Sequence, residues 1–478
     1  MPVFGLRRLT PAHAALLRAA AAASGKAGAP VLVGGAVRDA WLARPCVDLD
    51  IAVPAGALAL AARVAERVSG TCVVLDAERG AARVIAGALT LDVTDFRAPS
   101  LEADLALRDF TVNALAVPLH GLLRDGRARI VDPTGGLADL KARRLRPPSP
   151  GVLADDPLRA LRAVRFEATL GLRLTPAAAC AVRAVAPALA HTSAERVRDE
   201  LVSLLDLPDT ARALRRADTL GLLAVIFPEA QPMRATAQPA PHRFDVLEHS
   251  LRAVAGCDRI VARPEALAPF GEELAAHLAA PLGGQVDRRR ALKLAALLHD
   301  VSKPETRRRI GGRIRFFEHD VLGARRARAI GERLRLPERV SAVLERLVRH
   351  HLRPMHLAQA GEITRRARYR FYRDLSEDTR DLLLLVLADS AAVTGVSPFA
   401  VWRKSTVVRD LLGGLAVEEQ EAAAPPLLRG EDVMARYGLA PGPEVGRLLA
   451  RAREAQGLGL VATREEALSF LDSPRDDP

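Results

Sequence analysis

Two aspartates separated by a single residue, Asp48 and Asp50, constrain the fold of this chain more than any other feature, because they fall in a short apolar stretch with β-strand character. Side chains two residues apart on a strand point to the same side, which would put both carboxylates about 6 to 7 Å apart on one face. Two bare carboxylates repel each other unless a cation lies between them. Mg²⁺ binds carboxylate and phosphate oxygens together. The pair therefore predicts a magnesium site, with a solvated polar strand face as the alternative.

A double glycine, Gly34-Gly35, lies ahead of this strand, between the apolar run 31–33 and a helical stretch at 36–42. Glycines at such a turn let backbone N–H groups approach a phosphate, and the start of the following helix adds the positive end of its dipole. The order strand, glycine turn, helix and acidic strand therefore favours a phosphate-binding site beside the carboxylates. A plain strand-to-helix turn would contain the same two glycines.

A third carboxylate, Asp92, alternates with apolar neighbours in the stretch 89–96, which is typical of a buried strand. Because an isolated buried charge is costly, this side chain needs a partner. A metal at the aspartate pair is one candidate partner, and Arg97 or Arg108 is another. Asp95 competes with Asp92 for the role of a third metal ligand.

Periodicity divides the chain into a mixed part and a helical part. Strand candidates alternate with helical stretches over the first ~145 residues, whereas apolar residues recur with a period of 3.6 after the Pro-rich loop 146–150. The predicted fold class is therefore α+β, with a strand-containing N-terminal part followed by helices.

The charge balance indicates a phosphate-rich partner. Lys and Arg number 69 against 57 Asp and Glu, and 64 of the 69 cations are arginine. Guanidinium groups bind phosphate oxygens in two-point geometry, although a GC-rich genome would also replace lysine by arginine. The 4 cysteines occur singly, so neither a zinc knuckle nor a disulfide framework is expected, and the cytoplasm is the predicted compartment. Charged and helix-breaking residues interrupt the apolar segments, so no membrane is expected as a partner.

The dipeptide Asp156-Pro157 predicts a helix start, with the aspartate as N-cap and the proline as first helical residue. Asp156 and Arg159, three positions apart, would share one side of the first turn and present an acceptor beside a donor fork. Cytosine and adenine offer an amino donor beside a ring-nitrogen acceptor, whereas uracil and guanine offer a carbonyl beside an N–H. The pair therefore matches cytosine and adenine, and a plain capped helix is the alternative.

Three segments in this order resemble the class II tRNA nucleotidyltransferases, a family that includes CCA-adding enzymes and bacterial poly(A) polymerases. The segments are Gly34-Gly35-x-Val37-Arg38-Asp39, Asp48-x-Asp50, and Asp104-x-x-x-Arg108-Asp109-Phe110-Thr111-x-Asn113-Ala114. The resemblance implies a head of the DNA-polymerase-β nucleotidyltransferase type with two Mg²⁺-binding aspartates on one strand. It also implies nucleotidyl transfer from CTP and ATP to a tRNA 3′ hydroxyl.

The resemblance implies roles for individual residues. The catalytic carboxylates would be those of Asp48, Asp50 and Asp92. The residues that would contact the nucleotide are Gly34, Gly35, Arg38, Arg108, Asp109, Asn113, Asp156, Arg159, Arg162 and Arg165. Asp156 and Arg159 fall on the family's nucleotide-reading motif and would act as a protein template. The segment 192–200 resembles the next helical motif of the family, for which a bracing role is expected.

The histidines form a second constellation in a helical, Ala/Leu-rich context. Their order resembles that of the HD phosphohydrolase superfamily, and the segment 297–303 matches the core of its motif. Imidazoles and carboxylates together bind first-row divalent metals. The ligands implied for one ion, a transition metal or Mg²⁺, are His249, His299, Asp300 and Asp389; those for a second ion are His319 with His350 or His351. Some members of the nucleotidyltransferase family carry such a domain with phosphatase, nucleotidase or cyclic phosphodiesterase activity, and buried core histidines are the alternative.

The expected architecture follows from both resemblances. It has a nucleotidyltransferase head (1–145), an all-helical neck for nucleotide and RNA binding (146–235), an HD domain (236–395) and a helical tail (396–478). The favoured activity is addition of CCA to tRNA, and a poly(A) polymerase, a CC-adding enzyme and an A-adding enzyme are alternatives that share the site. An HD phosphohydrolase with an inactive head is the alternative of another class. The oligomeric state is left open.

Overall fold

The computed structural model describes residues 2–25, 28–46 and 48–473. The strands are β1 Val3–Gly5, β2 Val31–Val33, β3 Asp48–Val53, β4 Thr71–Asp76, β5 Ala81–Ala86, β6 Leu89–Asp95, β7 Ala116–Pro118, β8 Arg127–Arg129, β9 Arg144–Leu145, β10 Arg173–Leu174, β11 Pro281–Gly283, β12 Val286–Asp287, β13 Arg307–Ile310 and β14 Arg313–Phe316.

The helices in the first half of the chain are α1 Pro11–Ala23, α2 Gly35–Trp41, α3 Ala57–Arg67, α4 Leu101–Ala106, α5 Leu119–Asp125, α6 Gly136–Lys141, α7 Gly151–Asp155, α8 Leu158–Leu170, α9 Pro176–Val185, α10 Ala194–Leu205, α11 Thr210–Thr219, α12 Leu223–Ile226 and α13 Ala230–Arg234. The remaining helices are α14 Val246–Ala262, α15 Gly271–Ala279, α16 Arg288–Leu298, α17 Lys303–Thr306, α18 His319–Arg333, α19 Glu338–His350, α20 Arg353–Gln359, α21 Arg365–Leu375, α22 Thr379–Thr394, α23 Pro398–Lys404, α24 Thr406–Ala423, α25 Gly430–Tyr437, α26 Pro443–Gly457 and α27 Arg464–Asp472.

The chain folds into two compact units. The N-terminal unit comprises residues 1–196 and 216–226, and the C-terminal unit comprises residues 197–215 and 227–478. This division into two units differs from the four domains expected from the sequence, and the boundaries of those domains stay a prediction.

A six-stranded sheet in the order β4-β5-β6-β3-β2-β7 organises the N-terminal unit. The central pair β3 and β6 is parallel, and the other neighbours are antiparallel. Leu49 and Ile51 on β3 are inaccessible to solvent, so Asp48 and Asp50, which alternate with them along the strand, lie on the opposite face. Helix α3 follows β3 and packs against β5 and β6, because its apolar stripe needs a sheet face to cover. Helix α3 therefore covers the apolar face of the sheet, and the aspartates lie on the other face.

Helices α14, α16, α18, α19 and α22 form the core of the C-terminal unit. Gly256 on α14 faces α22, where a Cβ atom would lie 2.9 Å from both Cα and Cβ of Ala388. The missing side chain lets these two helices approach closely. Residues of α14 and α22 that lie near the crossing of the helices are thereby brought into contact. Helices α25, α26 and α27 enclose a smaller apolar cluster around Val433 and Ala467.

The predicted α+β class, with a strand-containing first part and a helical remainder, is confirmed. Two short hairpins, β11-β12 and β13-β14, interrupt the helical part and were not predicted. The second one has arginines where a strand normally carries apolar residues, so the period-2 signal was hidden. Within the described residues no single helix is long and apolar enough to cross a membrane, although the bent pair 365–394 and 398–404, with a bend of 107°, meets both criteria together.

Candidate active site and metal centre

The double-glycine turn lies against the carboxylates, as its position between β2 and α2 requires. Gly34 has φ +71°, and a Cβ atom on it would lie 3.1 Å from Arg108 Nη1 and 3.4 Å from Asp50 Oδ2. Glycine therefore permits both the left-handed backbone and the close approach of these two charged groups. The helix α2 begins at the next residue, Gly35.

The two aspartates of β3 and the one on β6 share a face of the sheet. Asp48 and Asp50 are two residues apart, and the parallel register pairs Asp50 with Asp92. The Asp48 side chain is exposed and accepts a hydrogen bond from the Thr90 hydroxyl. Burial, together with the charges of Asp92 and Asp48, raises the pKa of Asp50 to about 6. A cation at this point would relieve that repulsion, so the donor set fits Mg²⁺.

Cys46 reports the same negative potential. Its thiol donates to the Asp48 carbonyl at 3.3 Å. Burial and the nearby carboxylates of Asp39, Asp50 and Asp48 raise the pKa of this thiol to about 11. Two different groups therefore respond to an excess of negative charge at the start of β3.

Asp92 has an arginine partner that sequence reasoning missed. Arg83 on β5 donates from Nε and Nη2 to the two carboxylate oxygens, at 2.7 and 2.8 Å. The expected alternative partners Arg97 and Arg108 instead approach Asp104, at 3.7 and 3.6 Å. Within the described residues, no cluster of three potential metal ligands includes Asp92.

Asp95, the other candidate on β6, has a structural contact. Its Oδ1 accepts from the backbone N–H of Ala57 at 2.7 Å, at the first residue of α3. A carboxylate at this position satisfies one of the unpaired N–H groups of the helix start. It therefore fixes α3 against the sheet.

A continuous network of hydrogen bonds joins the glycine turn, the 104–116 segment and α8. Arg38 donates to Asp39 at 2.9 and 2.8 Å and also to Asn113 Oδ1. Asn113 Nδ2 donates to Asp109 Oδ1 at 2.9 Å, and Arg162 donates to Asp109 Oδ2 at 3.1 and 2.8 Å. Burial alone would raise the pKa of Asp109, but Arg162 and Asn113 outweigh it and the pKa is lowered. Asp109 is therefore an ionised, buried anchor.

Phe166 is a second contact between these segments that the sequence did not single out. The guanidinium carbons of Arg38, Arg162 and Arg165 lie 5.5, 5.3 and 4.7 Å from its ring centroid. Phe110 packs edge-on against the same ring, with centroids 5.6 Å apart. One aromatic ring thus positions three cations.

The proposed base-reading pair is close but shares its acceptor with another arginine. The Nε atom of Arg159 lies 3.9 Å from Asp156 Oδ2, whereas Arg196 Nη2 donates to that oxygen at 2.8 Å. Helix α8 begins at Leu158, one residue later than predicted, and the Leu158 N–H donates to Asp156 Oδ1 at 3.3 Å. Arg196 lies in the segment for which only a bracing role was expected.

These residues surround one cavity of about 620 Å³ in the N-terminal unit. Eight arginines and six aspartates line it, so it is polar and rich in cations. The ten residues predicted to contact a nucleotide are all among those that line it: Gly34, Gly35, Arg38, Arg108, Asp109, Asn113, Asp156, Arg159, Arg162 and Arg165. Asp50 lines the cavity as well, whereas Asp48 and Asp92 do not. The cavity therefore joins a carboxylate to cationic groups suited to phosphate.

The histidine constellation converges in the C-terminal unit. His249 Nε2 lies 2.9 Å from Asp389 Oδ1 and 3.3 Å from His299 Nε2, and His299 Nε2 lies 3.6 Å from the same Asp389 oxygen. Helices α14 and α22 supply two of these groups, and His299 follows the end of α16. The three ligand atoms lie within 4.8 Å of one another, which is a distance that one metal ion can span.

A second group consists of Asp300, His319 and His351. Of the two histidines that the sequence left as alternatives, His351 belongs to this group and His350 does not. Consecutive residues near a helix end point about 100° apart, so only one of the pair can face the cluster. His350 instead lies near Arg353 and Asp374. Its burial, and to a smaller extent the positive charge of Arg353, lowers the pKa of His350 to about 4.

Asp300 lies between the two groups. Its Oδ2 atom is 3.3 Å from His299 Nε2 and 3.5 Å from His249 Nε2, and its Oδ1 atom is 3.4 Å from His319 Nε2. Lys303 Nζ approaches Oδ2 at 2.6 Å and donates to Gln238 at 2.8 Å. Burial would raise the pKa of Asp300, but Lys303 and His299 hold it well below its usual range. One carboxylate can therefore serve both groups.

Backbone carbonyls orient the imidazoles for metal binding. The Nδ1 atoms of His299, His319 and His351 lie 2.9, 2.7 and 2.7 Å from the carbonyls of Ala296, Phe316 and Val348. An Nδ1–H that donates there leaves Nε2 as a lone-pair ligand facing the cluster. Asp300 Oδ1 and His319 Nε2 are buried without a hydrogen-bond partner, whereas Asp300 Oδ2 forms an ion pair with Lys303. Buried ligand atoms without a hydrogen-bond partner are suited to bind a divalent metal.

Comparisons with known proteins agree with this arrangement. Residues 31–146 match the poly A polymerase head domain, residues 171–233 match the probable RNA and SrmB-binding site of polymerase A, and residues 246–393 match the HD domain. The chain is 41% identical over 452 residues to the A-adding tRNA nucleotidyltransferase of Deinococcus radiodurans, covering 92% of this chain and 94% of that protein. It is 38% identical to the CC-adding tRNA nucleotidyltransferase of Thermus thermophilus, with 92% of each chain covered.

The fold also resembles that of a CCA-adding enzyme solved in complex with ATP. The two share a TM-score of 0.64 over 98% of this chain and 97% of the other, at 20% sequence identity. This likeness supports the order of a nucleotidyltransferase head followed by helical regions and an HD domain.

Proposed function

Because this chain belongs to the class II tRNA nucleotidyltransferase and poly(A) polymerase family, we propose that it transfers nucleotides from CTP and ATP to the 3′ end of tRNA. The favoured product is the CCA end. The observation that carries this proposal is the cavity in which Asp50, the glycine turn and the pair Asp156 and Arg159 line one space. The proposed domains are the head (1–145), neck (146–235), HD domain (236–395) and tail (396–478).

In this proposal Asp48 and Asp50 hold Mg²⁺, which, when bound, lowers the pKa of the attacking 3′ hydroxyl and neutralises charge on the leaving pyrophosphate. Gly34 leaves room for a triphosphate oxygen beside Asp50, and backbone N–H groups at the start of α2 point toward it. Arg38 and Arg108 supply cationic donors for the phosphates. Asp92 forms an ion pair with Arg83 next to Asp50, which is supported by the paired contacts of these residues.

The proposed reading of the base uses Asp156 and Arg159 as acceptor and donor. An amino group beside a ring nitrogen satisfies both, whereas a carbonyl beside an N–H would place acceptor against acceptor and donor against donor once the base covers this half-buried pair. Unpaired polar groups of this sort cost about 1 to 3 kcal/mol each. Arg196 positions the Asp156 carboxylate, which is supported by its 2.8 Å contact. Arg162 and Arg165 complete the cationic wall next to the base.

A second candidate is an enzyme that adds only CC or only A. It is favoured by the two full-length relatives, each of which adds only one kind of nucleotide. The test is incubation of the pure protein with tRNA lacking CCA, or lacking only the terminal A, with each labelled nucleotide in turn. Addition of C and then A means a CCA-adding enzyme, C alone a CC-adding enzyme, A alone on a CC end an A-adding enzyme, and long A tails a poly(A) polymerase. No incorporation at all would refute transfer and leave the HD hydrolase.

We also propose that the C-terminal unit is a metal-dependent phosphohydrolase. Its support is the convergence of His249, His299, Asp300 and Asp389, with buried ligand atoms that lack partners. A transition metal or Mg²⁺ would be held there and would polarise a phosphoryl oxygen when bound. The test is hydrolysis of phosphomonoesters and 2′,3′-cyclic nucleotides by protein loaded with Mg²⁺, Mn²⁺, Co²⁺ or Ni²⁺ in turn. Absence of hydrolysis with every metal would refute this activity.

The proposed location is the cytoplasm. It is supported by four cysteines without disulfides in the structure, Cys46, Cys72, Cys180 and Cys257, which suit a reducing compartment.

A further inference from the structure

The hairpin β13-β14 of the C-terminal unit is an exposed cationic surface that the functions above do not use. Residues 306–317 contain five arginines and no acidic residue. The strands are joined by Gly311-Gly312, both with positive φ, and the register pairs Arg308 with Arg315 and Ile310 with Arg313. A two-residue glycine turn of this kind fixes the register of a hairpin. The positions of the arginines are therefore defined.

The register separates the hairpin into two faces. Ile314 and Phe316 are half-buried and share one face, and Lys303 Nζ lies 5.5 Å from the Phe316 ring centroid. Arg308, Arg313 and Arg315 share the opposite face and are exposed. Arg307 and Arg309 are paired with Phe316 and Ile314, so the first face is mixed. Its two half-buried apolar side chains attach the hairpin to the body of the unit, and the opposite face turns three guanidinium groups to solvent.

The stability of the unit does not explain these charges. Like charges placed directly opposite each other on two strands are destabilising, and Arg308 faces Arg315. None of the five arginines forms an ion pair with a carboxylate of the described residues; the nearest acid in sequence, Glu305, pairs instead with Arg326 at 2.7 Å. Arg308 donates to the backbone carbonyls of Glu305 and Arg307 at 3.4 and 3.1 Å, which leaves its charge uncompensated. A cluster of cations without carboxylate partners is typical of a surface that binds a polyanion.

The hairpin is also joined directly to the metal centre. Its first strand follows Lys303, which contacts Asp300, and its second strand ends at Phe316, whose carbonyl accepts from His319. Phe317, between that strand and His319, has 58% of its surface exposed, although it is a large apolar side chain. An exposed aromatic ring among arginines offers a stacking surface for a base beside contacts for phosphates.

We propose that the β13-β14 hairpin binds single-stranded RNA, with Arg308, Arg313 and Arg315 on its phosphates and Phe317 stacked on a base. Arg313 and Arg315 are about 7 Å apart along the strand, so they would reach different phosphates of one backbone. Phe317 distinguishes RNA from an acidic peptide, which has no base to stack. The proposal does not require hydrolysis at the metal centre or nucleotide addition in the head.

The test measures binding of a short labelled single-stranded RNA to the full chain by fluorescence anisotropy, in EDTA and at several salt concentrations. The variant Arg308→Gln/Arg313→Gln/Arg315→Gln should bind about tenfold more weakly at low salt, and the slope of log K against log salt should fall by about 2, or 0.7 per lost phosphate contact. Phe317→Ala should weaken binding about fivefold or more with little change in that slope.

A matched control removes three exposed arginines of the same unit outside the hairpin, as Arg325→Gln/Arg349→Gln/Arg403→Gln. Its binding should stay close to that of the unaltered chain. Equal weakening in both triple variants, or no weakening in either, would overturn the proposal. Polyglutamate that binds as tightly as RNA, loses affinity in the hairpin variant and ignores Phe317→Ala would assign the surface to an acidic partner instead. Nucleotide incorporation into tRNA is measured separately, so that failure of the head and failure of the hairpin are distinguished.

Discussion

Carboxylates in the two sites of this chain have different neighbours. In the N-terminal unit, Asp109 and Asp156 of the cavity and Asp92 beside it each accept hydrogen bonds from an arginine at 2.8 Å or less. In the metal centre, Asp300 and Asp389 face imidazole nitrogens, and ligand atoms remain without hydrogen bonds. Arginine keeps its charge at any pH that proteins tolerate, whereas an imidazole that has lost its proton to solvent can bind a metal through the free nitrogen.

The difference indicates when each site acquires its metal. The cavity already holds fixed cations and exposes few free carboxylates, so we expect Mg²⁺ to bind there tightly only with a triphosphate. The metal centre has buried donors preoriented by backbone carbonyls, so we expect it to keep an ion in the absence of substrate. The two activities should therefore be separable by mutation and by chelation.

Removal of a head carboxylate should have the largest effect. Asp48→Ala should lower nucleotide incorporation about a thousandfold, because it removes a ligand of the proposed metal and several kcal/mol of charge stabilisation with it. Incorporation of labelled CTP and ATP into tRNA measures the loss. Phosphomonoester hydrolysis by the same preparation should be unchanged, and loss of both activities would show that the two sites are not independent.

The reciprocal change tests the other site. His299→Ala should remove most of the metal that copurifies with the chain and lower hydrolysis about a hundredfold, because it deletes one of three converging ligands. Elemental analysis measures the metal, and incorporation into tRNA should be retained. His350→Ala is the matched control, since His350 lies outside the cluster and its loss should leave metal content unchanged. Equal metal loss in both variants would contradict the ligand assignment.

Base choice sharpens the interpretation of the cavity. Asp156→Asn or Arg159→Ala should reduce discrimination against UTP and GTP about tenfold to a hundredfold, because the mismatch penalty disappears with the acceptor or the donor. Ratios of kcat/KM for the four triphosphates measure it. Arg165→Ala should weaken all four alike, since Arg165 lies over the Phe166 ring and supplies charge rather than base recognition in this proposal. Unchanged ratios in the Asp156 and Arg159 variants would remove the templating role.

The smallest effect tests the negative potential at the start of β3. The pKa of Cys46 is raised to about 11, so its reactive thiolate is scarce at neutral pH and increases as the pH rises toward that value. Asp50→Asn removes one of the charges that raise the pKa, and labelling of Cys46 by iodoacetamide at pH 8 should become about two- to fivefold faster. Peptide mass spectrometry follows Cys46, with exposed Cys180 as the internal control. An unchanged ratio of the two labelling rates would contradict the potential described for β3.

Local patterns were sufficient to predict the shared face of Asp48 and Asp50 and the glycine turn, because strand period and turn chemistry are encoded within a few residues. The partner of Asp92 was within reach of the same reasoning. The strand stretches 82–85 and 89–96 are separated by a short turn, and an antiparallel register across that turn places Arg83 opposite Asp92. The two arginines proposed as partners, Arg97 and Arg108, both follow Asp92 in the chain, whereas Arg83 precedes it.

Contacts between distant segments could not be derived in that way. Asp109 and Arg162 are 53 positions apart, and Asp156 and Arg196 are 40 positions apart. Their contacts depend on how helices pack in three dimensions, which periodicity does not encode. The choice between His350 and His351 likewise depends on the rotation of α19 about its axis. Sequence reasoning therefore identified the residue types of both sites but not their pairing.

The contacts of Asp109 have a consequence for anyone who builds chimaeras of this enzyme. Asp109 connects Arg162 on α8 to Asn113, and Asn113 connects to Arg38 at the glycine turn. The proposed base-reading helix and the glycine turn are therefore linked through one buried carboxylate, in addition to the contacts of Phe166. A transplanted α8 from a relative of different nucleotide preference would arrive without its matching anchor. Exchange of specificity should therefore succeed only when the donor helix travels together with the donor's counterpart of the 109–113 segment.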